Sequence, residues 1–563
     1  MQREVYEMNE KTQKILKWVG IYVALTLVAF VAYYLVLPPL HLQSTLFWGF
    51  LAFLILLYTF PLSGLRVNTE VLKRGEFKLR RPKKSNKARW MMLALIPVAV
   101  ILVGSIISST FFFARSYAAV IEVEEAVFSE DMPETENVTN IALMDSDTAA
   151  IVGNRTLGSL SDVVSQFEIA PSYTQINYRN TPKKVANLEY AGFFKWLGNR
   201  DAGIPGFVMV DPVDNTAEYR ALNETIRYAE SGFFGDDLNR ALRFAYPTKI
   251  MDTPRFEIDD EGNPVYVVPC YEPKVALFGA MDVSEVILFD PTDGTSEIFS
   301  VENTPSWIDI VYDGYLATDK YNWKGTLSGG FFNSIIGNKD CKQTTDDFGY
   351  IVIEDDVWYF TGVTSVNSDR SNIGFIISNA RTGEYKFYPV IGAEEHSAMS
   401  AAQGEVQEKS YVASFPALIN VRGEATYIMV LKDQGGLVKL YAMVNVEQYN
   451  IVATGTTQEE AKAAYLSRLV TEGILSPEDK PAPPADDTVS LEITIDAITP
   501  VVTVGETTLY LRGKDASGGA LLLRAKVSAD ETVLFLSVGD SITALAVKTK
   551  NESIYDLLSF EKQ

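Results

Sequence analysis

Three unbroken apolar stretches open the chain: residues 18–37 (WVGIYVALTLVAFVAYYLVL), 46–62 (LFWGFLAFLILLYTFPL) and 91–113 (MMLALIPVAVILVGSIISSTFFF). Each is near the length a helix needs to cross about 30 Å of hydrocarbon. The first is too long for the core of a cleaved signal peptide, no small-residue cleavage site follows it, and the second comes almost at once. The pattern therefore predicts three transmembrane helices in residues 1–113. None of the three runs contains Asp, Glu, Lys, Arg or His, so they read as an anchor and not as an ion or proton path.

Beyond residue 113 the pattern shortens to strand length and repeats. The segments FVMVDPVDNTAEY (207–219), VILFDPTDGTSEIF (286–299), IALMDSDTAAIV (from 141), FIISNARTGEYKFY (from 375) and LYAMVNVEQYNIVA (from 440) share one form. A few apolar residues run into Asp or Asn, a polar turn follows, and a second strand leaves it. Asp and Asn open turns by bonding backbone two residues on, while Pro and Gly supply the required φ. Five hairpins are expected, opened by Asp145, Asp211, Asp290, Asn379 and Asn445. The Asp-Gly-Thr-Ser composition after Asp290 suggests an aspartic-peptidase acid loop, but a catalytic loop would not be rebuilt as Asn-Ala-Arg-Thr-Gly, so Asp290 is read as a turn residue.

Further strand pairs precede three of these hairpins, at 256–269, 350–362 and 418–431. Helix-compatible stretches follow four of them: LSDVVSQF, TPSWIDIVYDGYL, EEHSAMSAAQGEVQ and TTQEEAKAAYLSRLV, the last opened by a capping-box pattern of Thr457 and Glu460. Each unit is thus one helix beside three or four antiparallel strands. With its apolar-Asp-x-x-x-Gly hairpin, VILFDPTDG, the unit resembles the PepSY and cystatin-like modules of bacterial envelope proteins. The resemblance implies a non-enzymatic, protein-binding or regulatory module, and it carries no functional residue over to this chain. In the later copies Asn379 and Asn445 stand where that hairpin has Asp.

After residue 473 the composition changes to a Pro-rich acidic linker, SPEDKPAPPADD, within residues 474–487. Residues 488–563 then alternate as five short strands, which predicts a small β-barrel. Its VGDSITALAV resembles the Gly-Asp turn before a strand in bacterial OB-like barrels. The fold class expected is therefore a membrane-anchored α+β protein: an anchor (1–113) with a basic loop (63–90), an α+β repeat region (114–473), a linker (474–487) and an OB-like barrel (488–563).

Charge fixes the orientation. Residues 1–113 hold 14 Lys/Arg against 5 Asp/Glu, and the remainder 35 against 67. Most of the cations lie between the second and third spans, so that loop stays cytoplasmic and residues 114–563 are extracytoplasmic. The basic run KLRRPKK is a topogenic loop held against anionic membrane lipid. The acidic exterior argues against nucleic acid as a partner, in the barrel as elsewhere.

Candidate chemistry is sparse. The chain has two histidines: His41 lies between two spans, and His396, in GAEEHSAMS, is the one exterior candidate for a base. The two cysteines, Cys270 and Cys341, are both exterior, where a disulfide and two buried thiols are each open. Acid pairs such as Asp211 with Asp214, Asp290 with Asp293, and Asp259 with Asp260 and Glu261 lack the closing Glu of a twelve-residue calcium loop. Phe193, Phe194, Trp196, Phe233, Phe234, Phe331 and Phe332 form either an exposed surface or the core beneath short helices. No catalytic, metal or cofactor residue is assigned. The expected function is a scaffold or regulatory protein of the cell envelope that binds an envelope protein or cell-wall polymer. The alternatives are a carboxylate-based surface hydrolase and an accessory subunit of a membrane complex. A buried group of acids in a cleft favours the hydrolase.

Overall fold

A computed structural model describes residues 10–63, 66–67, 79–80, 86–138, 141–367, 372–476, 479, 488–503, 506–515, 519–527, 531–548 and 554–562. Most of the expected basic loop 63–90 and most of the linker 474–487 lie outside the described residues. The chain divides into two compact units, residues 1–465 and 466–563, so the division falls inside a helix and not in the proline-rich stretch.

Helix α1 (Glu10–Val36) and helix α3 (Leu95–Ile107), the latter preceded by a 3₁₀ stretch from Asn86, supply two segments long and apolar enough to cross a membrane. Between them α2 (Thr45–Thr59) is shorter, with 15 residues. The run expected to span at 46–62 changes to a 3₁₀ turn at Phe60, next to Pro61, where proline withdraws a backbone donor. Tyr33 meets Phe50 edge-on at 5.9 Å, and Thr26 Oγ1 lies 3.0 Å from the Tyr58 hydroxyl, pairing α1 with α2. After an extended Ser109, helix α4 (Thr110–Ala118) follows.

Four sheets follow, each built the same way. A helix leads into an edge strand broken in two, and three further strands complete an antiparallel meander. The first unit has α5 (Ser146–Gly158), β1 (Phe167–Ile169), β2 (Thr174–Tyr178), β3 (Thr181–Tyr190), helix α6 (Phe193–Asn199), β4 (Ile204–Asp211) and β5 (Thr216–Ile226). The second has α7 (Leu238–Ala245), β6 (Ile250–Met251), β7 (Arg255–Ile258), β8 (Pro264–Val275), β9 (Gly279–Phe289) and β10 (Ser296–Ser300). The third has α8 (Gly314–Leu327), β11 (Lys342–Thr344), β12 (Gly349–Ile353), β13 (Asp356–Ser365), β14 (Gly374–Asn379) and β15 (Tyr385–Tyr388). The fourth has α9 (Glu395–Glu405), β16 (Val412–Ala413), β17 (Ala417–Val421), β18 (Glu424–Lys432), β19 (Val438–Asn445) and β20 (Val452–Gly455). Central strands such as β14 are buried along their whole length, which is why they read as continuous apolar runs. Adjacent sheets share core: Phe207 of the first packs on Phe256 of the second at 5.6 Å, and Phe375 of the third on Tyr427 of the fourth at 5.8 Å.

The hairpins number four, not five. Asp211 Oδ1 accepts from Val213 N and Asp214 N (2.9 and 3.0 Å), Asp290 Oδ1 from Thr292 N (2.7 Å), Asn379 Oδ1 from Arg381 N and Thr382 N (2.9 Å each), and Asn445 Oδ1 from Gln448 N (2.8 Å). Asp145 instead accepts Thr148 N at 2.8 Å and caps α5. The same Asx chemistry opens a turn or a helix, and sequence pattern alone does not separate them. Helix α8 also begins later than TPSWIDIVYDGYL suggests, because Asp313 caps it by accepting Tyr315 N at 2.8 Å. Helix α7, capped by Asp237, was hidden in the aromatic segment before it.

The hairpin turns also latch their units. Pro291 O accepts both Arg227 N and Tyr228 N at 2.9 Å, and Ala380 O accepts Val311 N and Tyr312 N at 2.9 and 2.7 Å. The Tyr228 ring lies over Gly294 (φ +84°) and the Tyr312 ring over Gly383 (φ +74°), where an added Cβ would stand 2.7 and 2.8 Å from the ring carbons. Both the conformation and the contact require glycine. Gly294→Ala is expected to cost about 2 kcal/mol in urea unfolding. Gly235→Ala, with open space around it, is expected to change little.

Helix α10 (Gln458–Thr471) carries the anticipated capping pattern: Glu460 N donates to Thr457 Oγ1 at 3.1 Å, and the Glu460 carboxylate reaches Thr456 N at 2.9 Å. The second compact unit holds a closed barrel of β21 (Thr488–Thr503), β22 (Glu506–Asp515), β23 (Ala520–Lys526), β24 (Ser541–Lys548) and β25 (Ile554–Lys562), in the order β21-β22-β23-β25-β24. Strand β21 is long enough to pair with both β22 and β24, and a register shift near Ile495 lets it turn the corner. Strands β23 and β25 run parallel.

Candidate functional site

Around β2 and β3 the first sheet meets the third and fourth units. Lys184 on β3 and Gln175 on β2 pair across the strands there, and both are buried, Lys184 at 4% exposure. They line a cavity of about 210 Å³ together with Met144, Asp145, Tyr350 and Pro416. A neighbouring hollow of about 220 Å³ shares Gln175 and Tyr350 and continues along the edges of β12 and β17.

Lys184 Nζ stands 5.6 Å from the centre of the Tyr350 ring and finds no hydrogen-bond acceptor among the described residues. Asp145 is the nearest source of opposite charge, but it is already ion-paired with Lys432 and engaged as the cap of α5. Two ammonium groups thus share one carboxylate. Burial pulls the Lys184 amine down to about 8, against the partial support of Asp145. A charge kept inside a cavity without an acceptor is a group held for a ligand more readily than for stability. Sequence reading missed Lys184: in TPKKVANLEY it looks like the exposed half of a Lys-Lys pair. Its neighbour Lys183 does bridge to Asp211.

A second buried group lies between the second and third units. Glu257 on β7 is fully buried and accepts Asp309 N and Ile310 N, each at 3.1 Å. Burial lifts its carboxyl to about 7. Asp309 is raised well above the usual range by burial and by Glu257, and its Oδ2 accepts Asn177 N from the first unit at 2.9 Å. Asp309 and Asp355 line a polar hollow of about 260 Å³ beside Trp307.

The residues singled out in the sequence fall elsewhere. His396 is exposed at the start of α9, where Glu394 caps the helix by accepting His396 N and Ser397 N at 2.9 and 2.7 Å. Glu395 turns inward, accepts Gly362 N at 2.6 Å and is lifted to about 7 by burial. Cys270 and Cys341 are both free, buried thiols; burial pushes Cys270 up to about 12, far from a nucleophile's range. Asp293 and Asp259 spend their oxygens on turn N–H groups. Among the described residues no group of three His, Cys, Asp or Glu side chains is placed to hold a metal ion.

The aromatic segments split between the two expectations. Trp196 is buried and donates Nε1 to Asp236 at 3.2 Å, and Phe233 packs against it at 5.4 Å. Phe194, 83% exposed, and Phe234 stand in solvent. Phe331 and Phe332 meet Phe111 of α4 at 5.0 and 6.1 Å. No protein-family model matches the chain, and no curated protein matches it.

Proposed function

We propose that the chain is a membrane-anchored, extracytoplasmic scaffold or regulatory protein that binds an acidic group of an envelope protein or cell-wall polymer at Lys184, without catalysis. The observation that carries the reading is the buried Lys184 ammonium, without an acceptor among the described residues, facing a cavity between three of four like units. A carboxylate entering there supplies the missing charge. The anchor comprises α1, α2 with its 3₁₀ extension, and α3, with the basic loop 63–90 held in the cytoplasm. A helix leading into a four-stranded meander supports the PepSY or cystatin-like likeness of the repeats. The barrel order, with its parallel third and fifth strands, supports the OB-like one.

Affinity capture tests this. Full-length wild-type protein in detergent is expected to retain an envelope component that Lys184→Met loses. Capture of the same components by both proteins would sink the assignment of the site.

The hydrolase reading has one observation in its favour, the Asp309–Asp355 hollow. Glu257 does not share it, since both its oxygens face backbone N–H groups in the interior. Two carboxyl groups facing one substrate are what such hydrolysis requires.

A further inference from the structure

The exterior rests on the membrane helices through three joints. Leu40 N donates to Pro247 O at 2.7 Å, and beside it Phe244 of α7 packs on Tyr33 and Tyr34 at 6.1 and 6.3 Å. At the end of α3, Ser108 Oγ accepts Leu277 N and Phe278 N at 3.1 and 3.0 Å, and Ser108 O accepts the Tyr117 hydroxyl at 2.6 Å. The third joint is α8 against α4, where Trp323 meets Tyr117 edge-on at 5.2 Å.

Beyond α8 the chain makes one turn of π-helix, Asn333–Gly337, closed by Asn338 in the left-handed region (φ 45°). The polar side chains of this turn are folded inward. Asn333 donates Nδ2 to Lys339 O at 2.9 Å, and Ser334 donates Oγ to Phe331 O at 2.8 Å. The outward surface is left to Phe332, Ile335 and Ile336, exposed by 68%, 60% and 79%. Phe332 is continuous with Phe111, itself next to the exposed Phe112. Phe111 stands four residues past Ile107, the end of the apolar segment Arg89–Ile107, just across a helix break at Ser109, which places it beside the edge of that segment. That is the depth at which aromatic side chains collect at a membrane boundary.

We infer that the turn 331–337 is a lipid-dipping foot, with Phe332, Ile335 and Ile336 entering the interfacial layer of the extracytoplasmic leaflet beside Phe111 and Phe112. Three large apolar side chains on a turn whose Asn333 and Ser334 side chains bond back to local backbone form a patch that water does not favour. The foot would fix the height and tilt of α8, and through it the third unit, relative to the bilayer. The inference rests on the membrane-anchored reading.

Nitroxide depth measurements on the full chain in phosphatidylcholine–phosphatidylglycerol nanodiscs test it. Labels are placed at Ile336→Cys, at Leu27→Cys on α1, and at Asp201→Cys as the water reference; the two native thiols are buried. The expected result is that the Ile336 label is several-fold more accessible to oxygen relative to a water-soluble nickel chelate than the Asp201 label, and shallower than the Leu27 label. A lipid-exposed Leu27 label with an Ile336 label that matches Asp201 overturns the foot and leaves the anchor standing, as does an Ile336 label shielded from both reagents by a second protein surface. A water-exposed Leu27 label overturns the anchor and the foot together.

Discussion

Lys184→Met is expected to stabilise the folded chain by about 2–3 kcal/mol at pH 7, an outcome rare among substitutions of a buried residue. In the unfolded chain the amine titrates near 10.5, and in the folded chain at about 8. Because the folded value is depressed, the stability this group allows is fully present above pH 10.5 and is lost as pH falls through 8. At pH 7 the folded protein therefore bears the whole cost of a buried cation, and methionine, of similar length, removes it. Asp145 keeps Lys432 as its partner, so the substitution strands no carboxylate. Urea unfolding at pH 7 and at pH 10.5 checks the sign: the advantage of the variant should shrink to near zero at the higher pH. A variant less stable than wild type at pH 7 would mean that Lys184 is paired in solution. Loss of binding together with a gain in stability is the expected mark of a residue kept for function.

Glu257→Gln is expected to change how stability depends on pH. Burial raises the Glu257 carboxyl from 4.5 to about 7, so its contribution is fully present below pH 4.5 and is lost as pH rises through 7. Over that window wild type should lose about 3 kcal/mol through this group. Glutamine cannot ionise, but its amide NH₂ faces one of the two backbone donors that the carboxyl oxygens accept. The variant should therefore be the less stable by about 1–2 kcal/mol at pH 5, with the gap closed or reversed by pH 8. Calorimetry of the two proteins across this range checks it; parallel curves would show that the Glu257–Asp309 joint does not titrate there.

The repeats were legible because turn chemistry is local. Asp211, Asp290, Asn379 and Asn445 bond their own backbone, and those bonds depend on neighbouring residues alone. The count failed at Asp145 because a helix cap uses the same bond. The alternating barrel strands were legible for a like reason. The candidate site was not legible. Lys184 and Asp145 belong to the first unit but Tyr350 to the third, and the burial of Lys184 is decided by how sheets meet, which no periodicity records. The broken edge strands were also hidden, since 170–173, 252–254, 345–348 and 414–416 share no motif.

The short strand Glu124–Glu125, just after the apolar N-terminal helices, pairs in parallel with Lys386 and Phe387 of the third sheet. A little further on, Met132 O accepts Asn420 Nδ2 of the fourth sheet across 288 residues of sequence. The segment that leads into the four units thus finds its partners only after the first two of them have been made. During synthesis it waits as an open strand, its backbone groups unpaired while those units form. Contacts of such long sequence separation close slowly, so the order of assembly runs opposite to the order of synthesis at this point. The last two units, and not the first, clasp the array of sheets back onto its own root.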